Sequence, residues 1–309
     1  MKNFERQYAD SLHNLLTKGK RKHNRTGIDT LVIQHQYFYV HQSSLDFPVL
    51  KGKKVYPKMA LKEMMWMLNG KDNVNWLKER GVNYWDNWAD EKGSIGKSYG
   101  YQFRHFVNDT KHGRCDQTTL LIKEMLANPD SRRLILNLWN VQELDEMRLP
   151  PCVYNYQFAI NKIGVNKFEI DLHVLSRSED SFLGMPYDII GASWLLEIFA
   201  TFLSIETGFH YNAGDIHYTA NDYHIYENHI SQAYEYITNV NKNKCKVIDG
   251  IANIKIKPNI HKDLISNFKT VDERFNAILE SWDSLKYIDF KVEMNYQEIY
   301  GKIEAKVAV

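Results

Sequence analysis

Two hydrophobic periods alternate along the chain, and each predicts its own kind of element. Residues 2–17 place apolar side chains at helical spacing and read as an amphipathic helix. Thr30 to His41 (TLVIQHQYFYVH) is β-branched and aromatic and reads as a strand. Pro57 and the following ALKEMMWML predict a helix with an apolar face. Asp72 opens a second short helix ending near Gly81. The aromatic, Gly-punctuated stretch Val82 to Tyr101 reads as an ordered loop, and Asp116 to Leu126 as a helix. The period then shortens. Arg133 to Trp139, Val153 to Ile160 and Lys167 to Leu175 read as strands, with Gly164 and Asn166 supplying a turn. Gly184 to Ile205 is nearly all apolar, which predicts a long helix buried in the domain. Tyr211 to Tyr218 reads as a strand, Asp222 to Val240 as a helix, and Lys244 to Ile248 as a short strand. No repeat or linker interrupts this order. It predicts one α+β domain over residues 1–309, in the broad α/β class.

Charge and cysteine content narrow the function classes. The 39 Lys and Arg nearly balance 38 Asp and Glu, so no broad basic field exists to hold a nucleic-acid backbone. One dense basic run, Lys18 to Arg25, reads for the most part as a solvated loop. Cys115, Cys152 and Cys245 are far apart and odd in number, which disfavours a disulfide framework or a zinc site. The charged N-terminus is not a secretory signal, and the apolar run Ala192 to Ser204, interrupted by Glu197, is too short to span a bilayer. A reducing cytoplasm is the simplest location, without membrane or metal.

Among the three sulfurs, Cys152 has chemistry in its surroundings. Leu149-Pro150-Pro151 precedes it, and two prolines restrict the backbone that aims it. Arg132 and Arg133 open the preceding strand and Arg177 ends a later one. Cations favour thiolate over thiol, and the same arginines can bind a phosphate through paired hydrogen bonds. A lone cysteine is more often a small buried hydrophobe, and a single arginine a surface ion pair.

The order of motifs decides between these readings. SRRLILNLWNVQELDEMRLPPC, SRSEDSFLGMPYDIIGASWLL and HIYENH together resemble the thymidylate synthase family. So do NRTG at 24–27, LKEMMWMLNG at 61–70, NYWDNWADEKGSIGKSYGYQFR at 83–104 and the closing Ala-Lys-Val-Ala-Val309. The likeness covers most of the chain and is thinnest over residues 240–295. It implies a mixed β-sheet flanked by helices and a homodimer joined sheet to sheet. The implied substrates are a pyrimidine nucleoside monophosphate and 5,10-methylenetetrahydrofolate. By the same resemblance Cys152 attacks C6 of the base. Arg25, Arg177 and Ser178 hold the phosphate, with Arg132 and Arg133 reaching in from the other subunit. His224 and Tyr226 bind the sugar 3′-hydroxyl, Glu63 orders water and moves protons near the 4-position, and Tyr99 assists proton removal from C5. Asp180 holds the pterin, while Trp85, Trp88 and the Val309 tail belong to the folate side. Gly214-Asp215-Ile-His217-Tyr218 also resembles a family motif. If it is the true match, His217 and Tyr218 inherit the sugar role; if it is not, the residues between are a local insertion.

Three departures from the family pattern point to a different base. FLGxPxN reads Phe182-Leu-Gly-Met-Pro-Tyr-Asp188 here, with a carboxyl in place of the amide. Cytosine presents a 4-amino donor and an N3 acceptor, which a protonated carboxyl matches. Val153 replaces the histidine after the nucleophile, and Ser176 a glutamine. The pattern resembles the deoxycytidylate hydroxymethylase branch known from phages, in which water meets the methylene. Methylation of dCMP, thymidylate synthesis from dUMP, and an inactive nucleotide- or RNA-binding member are the alternatives.

Overall fold

The computed structural model describes residues 3–42, 47–109, 113–242, 253–258, 267–283, 288–293 and 303–307. Asn3 starts the first helix by accepting the Arg6 N–H on its side chain at 2.9 Å, an N-cap. That helix, α1 (Phe4–Lys18), buries Phe4, Tyr8, Leu12 and Leu15. The basic run after it is exposed as predicted, but Lys20–Lys22 forms an edge strand, β1. Lysines suit an edge because their charge deters further pairing. β1 pairs antiparallel with β2 (Thr30–His41), whose bounds match the sequence reading.

Next come α2 (Pro57–Leu68), with Pro57 at its start, and a single turn, α3 (Asn75–Lys78), shorter than predicted. The aromatic stretch is a loop around a 3₁₀ turn at Asp86–Trp88, and its last residues enter α4 (Tyr99–His105). Gly96 is required in that loop. Its φ is +71°, and a Cβ there would sit 2.0 Å from the Glu146 carbonyl oxygen. A bridge from Gly96 to Met147 ties the loop to the segment leading into Cys152. A hairpin the pattern did not suggest, β3 (Phe106–Asp109) and β4 (Gly113–Cys115), precedes α5 (Gln117–Ala127), capped by Asp116.

The predicted strand at Arg133 to Trp139 shrinks to β5 (Ile135–Asn137). β6 (Val153–Gly164) and β7 (Lys167–Ser176) form a hairpin, with Asn166 at φ +55° in its turn. The two-residue β8 (Glu179–Asp180) leads into α6 (Met185–Thr207), which ends at Gly208 in the left-handed region. The chain returns as β9 (His210–Tyr226), then α7 (Ile230–Lys242). A two-stranded pair, β10 (Asn253–Pro258) and β11 (Ile288–Glu293), flanks α8 (Val271–Asp283) in sequence. Cys245 and the strand predicted at Lys244 to Ile248 lie outside the described residues.

β9 corrects the largest misreading. Asp222 to Tyr226 is strand rather than the start of a helix, because it pairs with β2 from Thr30↔Tyr226 to His41↔Asp215 in one unbroken register. Partner strands on both sides override a helical pattern.

The sheet order is β1-β2-β9-β7-β6-β5, with β8 also on β9. β7 and β8 run parallel to β9; the other pairs are antiparallel. This is the mixed sheet flanked by helices. α6 packs against β9 and α2. It is long and apolar enough to cross a membrane by length and composition, yet 72% of its apolar window is buried inside the protein, as in a core helix. Elsewhere on the sheet, His173 and His217 stack 4.5 Å apart, and Tyr37 and His41 are exposed.

Candidate active site

α2, the aromatic loop, the start of β6, β8 and the end of β9 surround a cavity of about 660 Å³. Cys152 lies at its wall, one residue before β6. Its backbone N–H donates to the Tyr99 hydroxyl at 2.7 Å, and its carbonyl accepts from Arg177 N–H at 2.9 Å. The Arg177 guanidinium donates to the Pro151 carbonyl at 2.9 Å and to that of Pro150 at 2.8 Å. The proline pair therefore does more than restrict φ. Its two carbonyls anchor the arginine beside the sulfur.

The thiolate expectation needs correction. Burial pushes the Cys152 thiol up to about 12, while Arg177 pulls it down and the charges of Glu179 and Asp188 add to the rise. Within one copy, desolvation outweighs the single cation Arg177 and favours the neutral thiol. Arg132 and Arg133 supply no charge here. Both are exposed beside β5 and neither lines the cavity.

Arg25, Arg177, Ser178, His224 and Tyr226 all line the cavity, as do Glu63, Tyr99, Asp188, Trp85, Trp88 and Asp180. Between the two candidate sugar motifs the geometry distinguishes clearly. His224 and Tyr226 face the cavity, whereas His217 hydrogen-bonds Tyr37 and stacks on His173. Tyr218 is fully buried and bonds Glu179. Burial works against charge on His224, yet the Asp222 hydrogen bond and carboxylate leave its pKa raised. Asp222, at φ +38°, is held down to about 2 by His224 first and by Lys22.

Five carboxyls line the cavity: Glu63, Glu179, Asp180, Asp188 and Asp222. Glu63 accepts from Trp85 Nε1 at 2.5 Å and from the Tyr84 hydroxyl at 2.9 Å. Burial raises it to about 7, and the Asp188 charge adds to the rise. Asp188 lies in the first turn of α6, where a helix dipole favours a carboxylate. Burial and the neighbouring Glu179 outweigh that, so its pKa stands well above the ordinary range. Asp180 Oδ1 accepts from Phe182 N–H at 2.9 Å and Leu183 N–H at 3.2 Å, steadying the turn into α6.

Of the three departures, Asp188 alone meets the cavity. Val153 and Ser176 are buried and paired across β6 and β7, behind the wall.

Several wall residues received no role in the sequence reading: Tyr84, Glu179, Tyr187 and Asp222; Ala305 and Val307 of the closing tail line the wall as well. Asp222 had a signal, standing two residues before His224 as His224 stands before Tyr226. The tail is pinned by the HIYENH motif. His229 Nε2 and Asn228 Nδ2 meet the Lys306 carbonyl at 2.6 and 3.2 Å. Val309 lies outside the described residues. No group of His, Cys, Asp or Glu arranged to hold a metal occurs among the described residues.

The arrangement can hold an anion at Arg25 and Arg177, a polar flat ring over the carboxyls, and an apolar partner against the tryptophans. The Cys152 thiol stands at the same wall. Comparison with known families agrees with this geometry: the family model described as thymidylate synthase matches residues 6–309.

Proposed function

We propose, from the premise that the chain belongs to the thymidylate synthase family, that its nucleotide is dCMP and its product 5-hydroxymethyl-dCMP. The family's reaction is folate-dependent one-carbon transfer to a nucleotide, with methylenetetrahydrofolate as co-substrate. The observation that carries the finer reading is Asp188, a carboxyl at the cavity whose pKa lies well above the carboxylate range. A carboxylic acid accepts from a 4-amino group with one oxygen and donates to N3 with the other. Facing uracil, it would leave N3–H and O4 poorly matched, at a cost of about 1–3 kcal/mol for an unpaired buried group.

The residues divide the work. Arg25, Arg177 and Ser178 receive the phosphate; Arg132 and Arg133 complete that site from a second copy. His224 and Tyr226 take the sugar hydroxyl. Tyr99 holds the Cys152 backbone while the sulfur adds to C6, which makes C5 nucleophilic and divides one hard step into easier ones. Glu63, near 7, is poised to give or take a proton at the 4-position side. Asp180, Trp85, Trp88 and the tail would hold the folate, which supplies the one-carbon unit. The partly exposed sheet surface with Tyr37, His41 and His173 suits the sheet-to-sheet dimer.

Incubation with methylenetetrahydrofolate and either dCMP or dUMP, with products identified by mass, tests the reading. Turnover of dUMP alone would sink the Asp188 argument. A dihydrofolate absorbance rise with dCMP would replace hydroxymethylation by methylation.

A further inference from the structure

Both oxygens of Glu63 are held by neighbouring residues of the aromatic loop. Oε2 accepts from the Tyr84 hydroxyl at 2.9 Å and Oε1 from Trp85 Nε1 at 2.5 Å. The loop is itself anchored. Val82 is fully buried, and its N–H donates to the Leu77 carbonyl at 3.0 Å. The Trp85 ring lies 5.5 Å from that of Trp66, which stands on the same face of α2 as Glu63, three residues on. The Tyr84 ring lies 5.8 Å from that of Tyr187, in the first turn of α6. Tyr84, Trp85 and Glu63 all line the cavity, and Tyr84 alone of the three has no part in the reaction described. A carboxylate offers about four lone-pair sites. The two donors take one on each oxygen, so the carboxyl plane is set and each oxygen keeps an open site.

We propose that Tyr84 is a positioning residue for Glu63: its hydroxyl, with the Trp85 indole, turns the carboxyl so that the open site on each oxygen meets the 4-position side of the bound base. This rests on the role given to Glu63 in the reading above and deepens it. The last torsion of a glutamate side chain is broad, so a donor on one oxygen alone leaves the carboxyl free to turn. A second donor on the other oxygen stops that rotation. The Tyr84 hydroxyl also favours the charged form of Glu63, the form that can take a proton, against the burial that opposes it. The titratable groups that act with Glu63 are Tyr84 in the loop, Tyr187 and Asp188 on α6, and Tyr156 on β6. All four are acids, so it is the two hydrogen-bond donors that oppose desolvation.

Tyr84→Phe removes the hydroxyl and keeps the ring beside Tyr187. Difference infrared spectra of the whole enzyme, taken against Glu63→Gln in each background, read the acid C=O stretch of Glu63 across pH without turnover. Losing one donor to the charged form should move the midpoint of that band up by about one pH unit. A ring-fluorinated tyrosine at position 84 is a stronger donor and should move it down. In turnover, with whichever of dCMP or dUMP reacts, Tyr84→Phe should lower kcat about tenfold and leave KM for the nucleotide within about twofold, because the phosphate and sugar contacts are untouched. A Tyr84 that served only to pack on Tyr187 would leave Tyr84→Phe equal to wild type in both midpoint and kcat.

An unmoved midpoint in Tyr84→Phe, or a kcat equal to wild type, overturns the proposal. The fluorinated protein keeps every side-chain contact and decides the matter even if Tyr84→Phe fails to fold: a midpoint that does not fall overturns the proposal as well. Because the infrared arm uses no nucleotide, a failure of dCMP turnover would remove the function reading and leave the hold on Glu63 tested in its own right.

Discussion

The Tyr99 hydroxyl accepts the backbone N–H of Cys152 at 2.7 Å, so α4 holds the residue that leads into β6. A bond of this kind contributes about 0.5–1.5 kcal/mol net, and more is lost when a buried donor is left unpaired. Tyr99→Phe should therefore lower both thermal stability and kcat. Calorimetry and steady-state kinetics check this. An unchanged kcat would remove Tyr99 from the positioning of Cys152.

Cys152 should be slow to alkylate in the free protein. With the thiol raised to about 12 by burial, the rate of iodoacetamide modification should climb steadily from pH 7 to 10. Arg177→Ala removes the attraction that lowers the thiol and should slow the reaction further. Peptide mass spectrometry separates this site from Cys115 and Cys245. A rate already saturated at pH 7 would mean a preformed thiolate.

Asp188→Asn should exchange the preferred base. An amide can accept from uracil N3–H and donate to O4, so kcat/KM for dUMP relative to dCMP should rise about 5- to 150-fold, from the 1–3 kcal/mol of an unmatched buried group. Parallel assays with the two nucleotides measure the ratio. If it stayed constant, the carboxyl would not be reading the base.

Asp222 links stability to pH. Its folded pKa is depressed to about 2, first by His224 and then by Lys22. A depressed carboxylate stabilises the fold above its unfolded pKa, near 4, and that contribution disappears as pH falls towards 2. Asp222→Asn should thus lower Tm at pH 7 and have little effect near pH 2. Asparagine tolerates the left-handed backbone, so strain does not confuse the comparison. A thermal-melt series across pH tests the trend, and an equal loss at both ends would contradict the linkage.

Arg133→Ala and Cys152→Ala should each be inactive alone. If a second copy completes the phosphate site, mixing the two variants under exchange conditions should restore activity, because one hybrid site has both native residues. Mixtures that stay inactive would place Arg132 and Arg133 outside the site.

The sequence by itself determined the elements whose signals are local. β2 is legible from its β-branched and aromatic residues and α2 from its apolar face and Pro57, and the run of motifs picks out Cys152, Glu63, Tyr99, Asp188, Arg25 and Arg177, which all line one cavity. It could not supply pairing. The residues 222–226 carry a helical pattern, and β2 alongside them makes them strand. Nor could it weigh burial against charge. The arginines near Cys152 in sequence suggest a thiolate, but Arg132 and Arg133 face away within this copy and desolvation outweighs Arg177. Glu179 was overlooked for the same reason. Its buried carboxyl is bonded by Tyr218, which β9 brings to it from elsewhere in the chain, and the energy of a buried acid depends on what surrounds it.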